Sequence, residues 1–274
     1  MDWWAYEKII LKEWRALLSS EESKSEAALR KFLERHPCMV PGSRGPFGDG
    51  HHVPFPAAVI SQPTLPGLHL RVPDFLWLAM NSESIYPVLV EIEAPSKRWF
   101  TKSGKQTEQL TQALDQLAEW KTWFARTQNV AQFVDYYTLN RRVRSGMTLK
   151  PFYVLIYGRR HEANRLEHLA EKRGHLGREN EFLMTFDRLH PNPLAKNFLC
   201  VRRLRDGYEA LSVPPTLELS RPLAGYFSFI AGKTLALSSS PYLSDDRKEF
   251  LGDRFSYWDN WVKERRWRRY CGGE

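Results

Sequence analysis

Apolar positions along this chain change period several times, and each change marks an element. Near the N-terminus they recur at helical spacing, first in "WWAYEKIILKEWRALL" (3–18) and then in "SEAALRKFLERHP" (25–37). In the second run Leu29, Phe32 and Leu33 share a face, Ser25 stands where a helix cap is needed and Pro37 ends the pattern. Residues 38–67 hold many Pro and Gly and read as a loop over the surface. The period then drops toward two: "LRVPDFLWLAM" (70–80) and "YPVLVEIEA" (86–94) flank the polar turn "NSES", the pattern of an antiparallel hairpin.

From Gln106 to Phe124 the spacing is helical again, with Leu110, Ala113, Leu114, Leu117 and Phe124 in one stripe. A strand over 151–160, "PFYVLIYGRR", a charged helix, "HEANRLEHLAEKRG", and a short apolar run, "EFLMTFDRL", follow. Strand, strand, helix, strand, helix, strand is an α/β order in which crossover helices cover a small mixed sheet. The predicted organisation is an N-terminal helical segment (1–45), an α/β core (46–205) and a C-terminal extension (206–274). In the extension "SVPPTLELSRPLAG" reads as extended and "SDDRKEFLGDRFSYWDNWVKERRWRRY" as one or two helices rich in basic and aromatic residues.

Composition narrows the partners. The 274 residues carry a net charge of +8, which favours a polyanion. No stretch nears the roughly 18 uninterrupted apolar residues of a membrane helix, and the start lacks a secretory leader, so no membrane is expected. Cys38, Cys200 and Cys271 are odd in number and widely spaced, as reduced thiols in a cytoplasm would be.

Candidate chemistry lies at the end of the second strand of the hairpin. Side chains alternate along a strand, so Leu89, Glu91 and Glu93 point one way, and the hairpin brings Asp74 alongside. Three neighbouring carboxylates repel one another, and a divalent cation removes that conflict. Oxygen ligands with room for water suit Mg²⁺ or Mn²⁺, an ion able to activate water and stabilise a phosphate under attack. The same spacing also arises at the solvated end of an ordinary strand. On the following helix Gln109, Gln112 and Gln116 form a polar stripe, fit either to hold a water or phosphate oxygen or to serve as a wet helix shoulder. His51 and His52 are adjacent, which makes a poor chelate, and read as surface residues.

In order, "VPDFLWL", "VLVEIEAPSKRWFTKSG" and "TQALDQLAEWKTWF" resemble the signature of the Shedu family of anti-phage defence proteins, within the PD-(D/E)xK nuclease superfamily. "FLERHP", "VLIYGRR", "MTFDRLHP", "VPPT" and "RKEFLGDRFSYWDNW" extend the resemblance over nearly the whole chain after residue 25. It implies a restriction-endonuclease-like core and a metal-dependent DNA endonuclease, in phage defence or, as the alternative, in DNA repair or restriction, unless the site has decayed to DNA binding alone. It also implies metal binding by Asp74 and Glu91, with Gln116 as the helix glutamine and Glu26 or Glu34 as a further glutamate near the metal. Where the superfamily motif has lysine, this chain has Glu93. That glutamate reads as general base, as metal ligand or as the mark of a degenerate site, and Lys97 or Lys102 as a replacement for the missing cation.

DNA contacts are expected from Lys97, Lys102 and Lys105, between strand and helix, and from Arg159 and Arg160 after the 151–160 strand. Further arginines at 141, 142 and 144, at 202, 203 and 205, and among Trp267 and Tyr270 near the C-terminus suit backbone contacts or solvated faces. The resemblance implies a homo-oligomer, dimer or tetramer, for which Tyr257, Trp258 and Trp261 are candidate interface residues. An unidentified activator is also expected, because the N-terminal part is short for a sensor domain.

Overall fold

A computed structural model describes residues 1–45, 48, 50–67, 72–161 and 167–264. The basic and aromatic cluster expected at 265–270 and Cys271 lie outside the described residues. Two helices open the chain, α1 (Trp3–Ser19) and α2 (Glu26–Arg35). Asp2 caps α1 by accepting from the Ala5 N–H at 3.0 Å, and Ser25 caps α2 by accepting from the Ala28 N–H at 3.3 Å. Each helix buries one stripe, Tyr6, Ile10, Trp14 and Leu18 on α1 and Leu29, Phe32 and Leu33 on α2.

The chain then runs through β1 (Phe55–Ser61), β2 (Phe75–Met80), β3 (Ser84–Ile92), α3 (Glu108–Phe124), α4 (Thr127–Tyr136), α5 (Asn140–Arg144), β4 (Thr148–Leu149), β5 (Phe152–Ile156), α6 (Glu167–Gly174) and β6 (Glu181–Met184). It ends with β7 (Leu199–Leu204), β8 (Gly207–Ser212), α7 (Arg221–Phe227), β9 (Ile230–Ala231), α8 (Lys233–Ser238) and α9 (Asp245–Lys263). All the strands join one mixed sheet in the order β6-β5-β3-β2-β1-β7-β8-β9, with β4 pairing beside β3. β2 and β3 form the expected antiparallel hairpin, while β3, β5 and β6 run parallel, joined by helical crossovers.

Every residue of β1, β2, β3 and β5 is buried, so the middle of the sheet is covered on both faces. One core cluster reaches from Tyr6 in α1 to Phe255 in α9. The architecture is therefore the expected mixed sheet flanked by helices, with three differences of detail. Residues 38–67, expected to be loop, contain β1, an inner strand between β2 and β7. Pro54 and Pro56 disguise it, because proline withholds a ladder donor and reads as a strand breaker. The boundary expected between 205 and 206 falls in the turn of the β7–β8 hairpin, so β8 and β9 belong to the same sheet as the core. Part of the stretch expected to be extended folds into α7, where Pro222 sits in the first turn, a position that needs no donated hydrogen bond.

Candidate active site

Backbone pairing places the acidic residues. Phe75 of β2 stands opposite Val90 of β3, so the next pair outward is Asp74 and Glu91, side by side on one face. Asp74 is pinned on both sides: its N–H donates to the Val90 carbonyl at 3.0 Å, and its carbonyl accepts from the Gln62 N–H at 2.8 Å. Its Oδ2 accepts from the Ile92 N–H at 2.9 Å. Glu93, one residue beyond β3, is still held to the sheet by its N–H donating to the Ile156 carbonyl of β5 at 2.9 Å. The strand ends in two glutamates because that is where the sheet opens toward α2 and α3.

Two helices complete the group. The buried stripe Leu110, Ala113, Leu114, Leu117 and Trp120 fixes the rotation of α3 and turns Gln116 inward. Gln116 Nε2 donates to Glu91 Oε1 at 2.7 Å. Gln109 is exposed and Gln112 pairs with Glu108 on the helix surface at 3.3 Å, so only Gln116 of the polar stripe reaches the carboxylates. From α2, Arg30 Nη1 donates to Asp74 Oδ1 at 3.2 Å. Lys97, in the segment after β3, donates to Glu26 Oε1 at 2.9 Å and to Glu93 Oε2. Glu26 is thus the α2 glutamate at the cluster, whereas Glu34 accepts from the Ser61 hydroxyl of β1.

The electrostatics follow from burial. Glu91 is 9% exposed, and desolvation, together with the like charges of Asp74 and Glu93, lifts its carboxyl well above the usual range despite the Gln116 bond. Burial also raises Asp74, against the opposing pull of the Ile92 N–H and Arg30, and raises Glu93 against Lys97. Burial pulls Lys97 down, but its bonds to Glu26 and Glu93 outweigh it, so the ammonium is held charged. Glu91 Oε2 is buried with no hydrogen-bond partner. A buried carboxylate oxygen without a protein partner has capacity for one further donor or ion.

The donor set fits Mg²⁺ or Mn²⁺ in chemistry. It is all oxygen, with four carboxyl groups gathered against Arg30 and Lys97. Among the described residues, however, no three acidic, histidine or cysteine side chains stand together as a ready metal-holding group. Asp74 and Glu93 are turned to Arg30 and Lys97.

Other expected residues are placed differently. Lys102 and Lys105 are exposed in the turn between β3 and α3. Arg159 is clamped, donating to Asp187 Oδ1 at 2.9 Å and to the Leu18 carbonyl at 3.2 Å, while Arg160 is exposed and its N–H donates to Asp187. Arg203 lies over Tyr136 and Tyr208 and donates to the Tyr136 carbonyl, a packing role. Sequence reasoning passed over Arg30. Its signal was there: Glu26 and Arg30 are four apart and so share a helix face.

A mixed sheet flanked by helices, with acidic side chains gathered at the end of its central hairpin, defines the class: an α/β protein with a nuclease-like core. Residues 23–190 match the family described as Shedu protein SduA, C-terminal, which is more than half of the chain. The protein belongs to the Shedu family, and with it to anti-phage defence. No curated protein matches it.

Proposed function

We propose that this protein defends cells against phage as a divalent-metal-dependent endonuclease that hydrolyses DNA phosphodiester bonds. The observation that carries the reading is the buried, unpartnered Oε2 of Glu91, set beside Asp74 and backed by Gln116. Asp74 and Glu91 would hold Mg²⁺, or Mn²⁺ in its place, with Glu93 and Glu26 at the rim. Such an ion, when bound, supplies positive charge to the phosphate and acidifies a water. Glu93 would orient an attacking water and accept its proton at a carboxylate oxygen, a role that its raised pKa suits. Gln116 fixes the Glu91 carboxylate through Oε1 and leaves Oε2 for the ion.

Lys97 takes the part of the lysine that position 93 lacks. Released from Glu26 and Glu93, it and Arg30 neutralise the phosphate as charge builds there. Homo-oligomerisation and an activating partner belong to the same proposal. A phage-challenge assay tests the defence role. Cells carrying the wild type should survive, and cells carrying Asp74→Ala at equal expression should not; equal survival would separate defence from this site.

One observation favours a second reading. Arg30 and Lys97 already neutralise Asp74 and Glu93, as they would in a decayed site that binds DNA without cutting it. That reading predicts no effect of Glu91 substitution on any function.

A further inference from the structure

The outer face of α1 carries a stripe that packing does not explain. At about 100° per residue, Trp4, Lys8, Lys12, Arg15 and Ser19 fall within about 80° of one another. All five are exposed, on the side of the helix away from buried Tyr6, Ile10 and Trp14. Trp4 is 71% exposed. Among the described residues, none of Lys8, Lys12 and Arg15 forms an ion pair. The acidic residues of the helix stand elsewhere: Asp2 is spent on the cap, Glu7 lies about 100° from Lys8, and Glu13 accepts from the Tyr242 hydroxyl at 2.7 Å.

The stripe leads to the carboxylate cluster. Ser19, at its end, lines the same cavity as Lys97, which donates to Glu93. From Trp4 to Ser19 is about 22 Å of helix, a length over which one strand of DNA presents about six phosphates. Charge of one sign with an aromatic ring beside it is the composition of a nucleic-acid surface. A basic helix that lies on a membrane needs its apolar face for the lipid; that face of α1 is sealed in the core.

We propose that the outer face of α1 carries the DNA backbone toward the carboxylate cluster, with Lys8, Lys12 and Arg15 as phosphate contacts and Trp4 against the sugars at the far end. α1 lies ahead of the family segment 23–190, so this surface is a feature of the chain beyond that segment. The proposal rests on the nuclease reading for the identity of its polyanion. It is tested apart from cleavage, because binding is measured with the metal removed.

The experiment is binding of a labelled duplex of about 20 base pairs in EDTA, followed from about 50 to 200 mM salt, where counterion release makes the slope count phosphate contacts at about 0.9 each. Lys8→Gln, Lys12→Gln and Arg15→Gln combined should weaken binding at low salt at least about tenfold and flatten the slope by about two to three contacts. The three side chains are exposed and glutamine is as good a helix former, so the fold survives. The same charge removed elsewhere, by Arg126→Gln, Lys150→Gln and Arg178→Gln, should leave the slope within about one contact of the wild type. Those three are exposed where α3 ends and where β5 and β6 begin, the end of the sheet away from Glu91 and Glu93. Trp4→Ala should weaken binding severalfold at an unchanged slope, because a ring releases no counterion.

An unchanged slope in the α1 triple variant, equal flattening by the distant one, or wild-type binding by Trp4→Ala overturns the proposal. Binding of the wild type to phosphatidylserine vesicles and not to DNA would make the face a membrane contact and overturn it as well. If the wild type cuts DNA and the α1 triple variant binds as it does, the face falls and the nuclease reading stands. If binding follows these charges and no metal supports cutting, the face stands and the nuclease reading falls.

Discussion

Glu91 carries the sharpest conflict in the molecule. Its carboxylate is buried, faces the like charges of Asp74 and Glu93, and leaves one oxygen without a partner. A residue chosen for stability would be neutral there. Glu91→Gln keeps the acceptor for Gln116 and removes the charge, so in metal-free buffer it should raise the unfolding free energy by about 1 kcal/mol, read from urea denaturation. A loss of stability would mean that the carboxylate is satisfied by other means.

His36 poses a different problem. It is wholly buried among Tyr6, Phe32 and Tyr242, with Nδ1 2.9 Å from the Tyr6 hydroxyl and Nε2 3.2 Å from that of Tyr242. Glu13 lies 3.6 Å from Nε2 and would favour the charged ring, but Glu13 is 41% exposed and screened. Desolvation prevails and pushes the imidazole down to about 3. The folded state therefore refuses a proton that the unfolded state takes up below about pH 6.5. Stability from this group is complete above that pH and is lost as pH falls toward 3. Between pH 7.5 and 5 the wild type should lose about 2 kcal/mol more than His36→Gln does. Equal losses in the two proteins would show that His36 titrates normally.

At the scale of elements, the site depends on how the β3–α3 segment is held. Gly158, just after β5, has φ of +59°, and a Cβ there would meet the Lys97 carbonyl at 2.8 Å and Trp99 Nε1 at 2.7 Å. Gly158→Ala should cost about 1–3 kcal/mol and displace Lys97. DNA cleavage by the folded variant should fall further than its stability explains, and full activity would detach Lys97 from the chemistry. The hairpin, α2 and α3 were legible in the sequence because each buries one regular face: period two in β3, helical spacing at Leu29, Phe32 and Leu33, and Leu110 to Leu117. β1 was not legible, since Pro54 and Pro56 mask an inner strand whose partners come from distant β2 and β7. Alternation put Glu91 on the same face as Glu93 and the hairpin brought Asp74 alongside, whereas Gln116 was singled out from Gln109 and Gln112 by the family resemblance. Which lysine enters the cluster was not legible, because the path of residues 94–107 is set by tertiary contacts such as the Tyr157 hydroxyl on the Arg98 carbonyl.

Across the whole molecule, one sheet ties the N-terminal helices, the acidic cluster and the C-terminal helices together. No helix among the described residues is long and apolar enough to cross a membrane. Phe250 and Tyr257 of α9 are each half exposed beneath Arg247 and Arg254, the kind of surface that a second copy would cover. The net charge of +8 contrasts with the carboxylates gathered at the end of the central hairpin. The most direct test is cleavage of supercoiled, linear and single-stranded DNA by purified protein in Mg²⁺, Mn²⁺ or EDTA, beside Glu91→Gln. The account predicts cutting with either metal, none in EDTA, and a loss of at least about 100-fold in the variant while DNA binding persists. Cutting by Glu91→Gln at the wild-type rate, or no cutting by the folded, DNA-binding wild type with either metal, would contradict it.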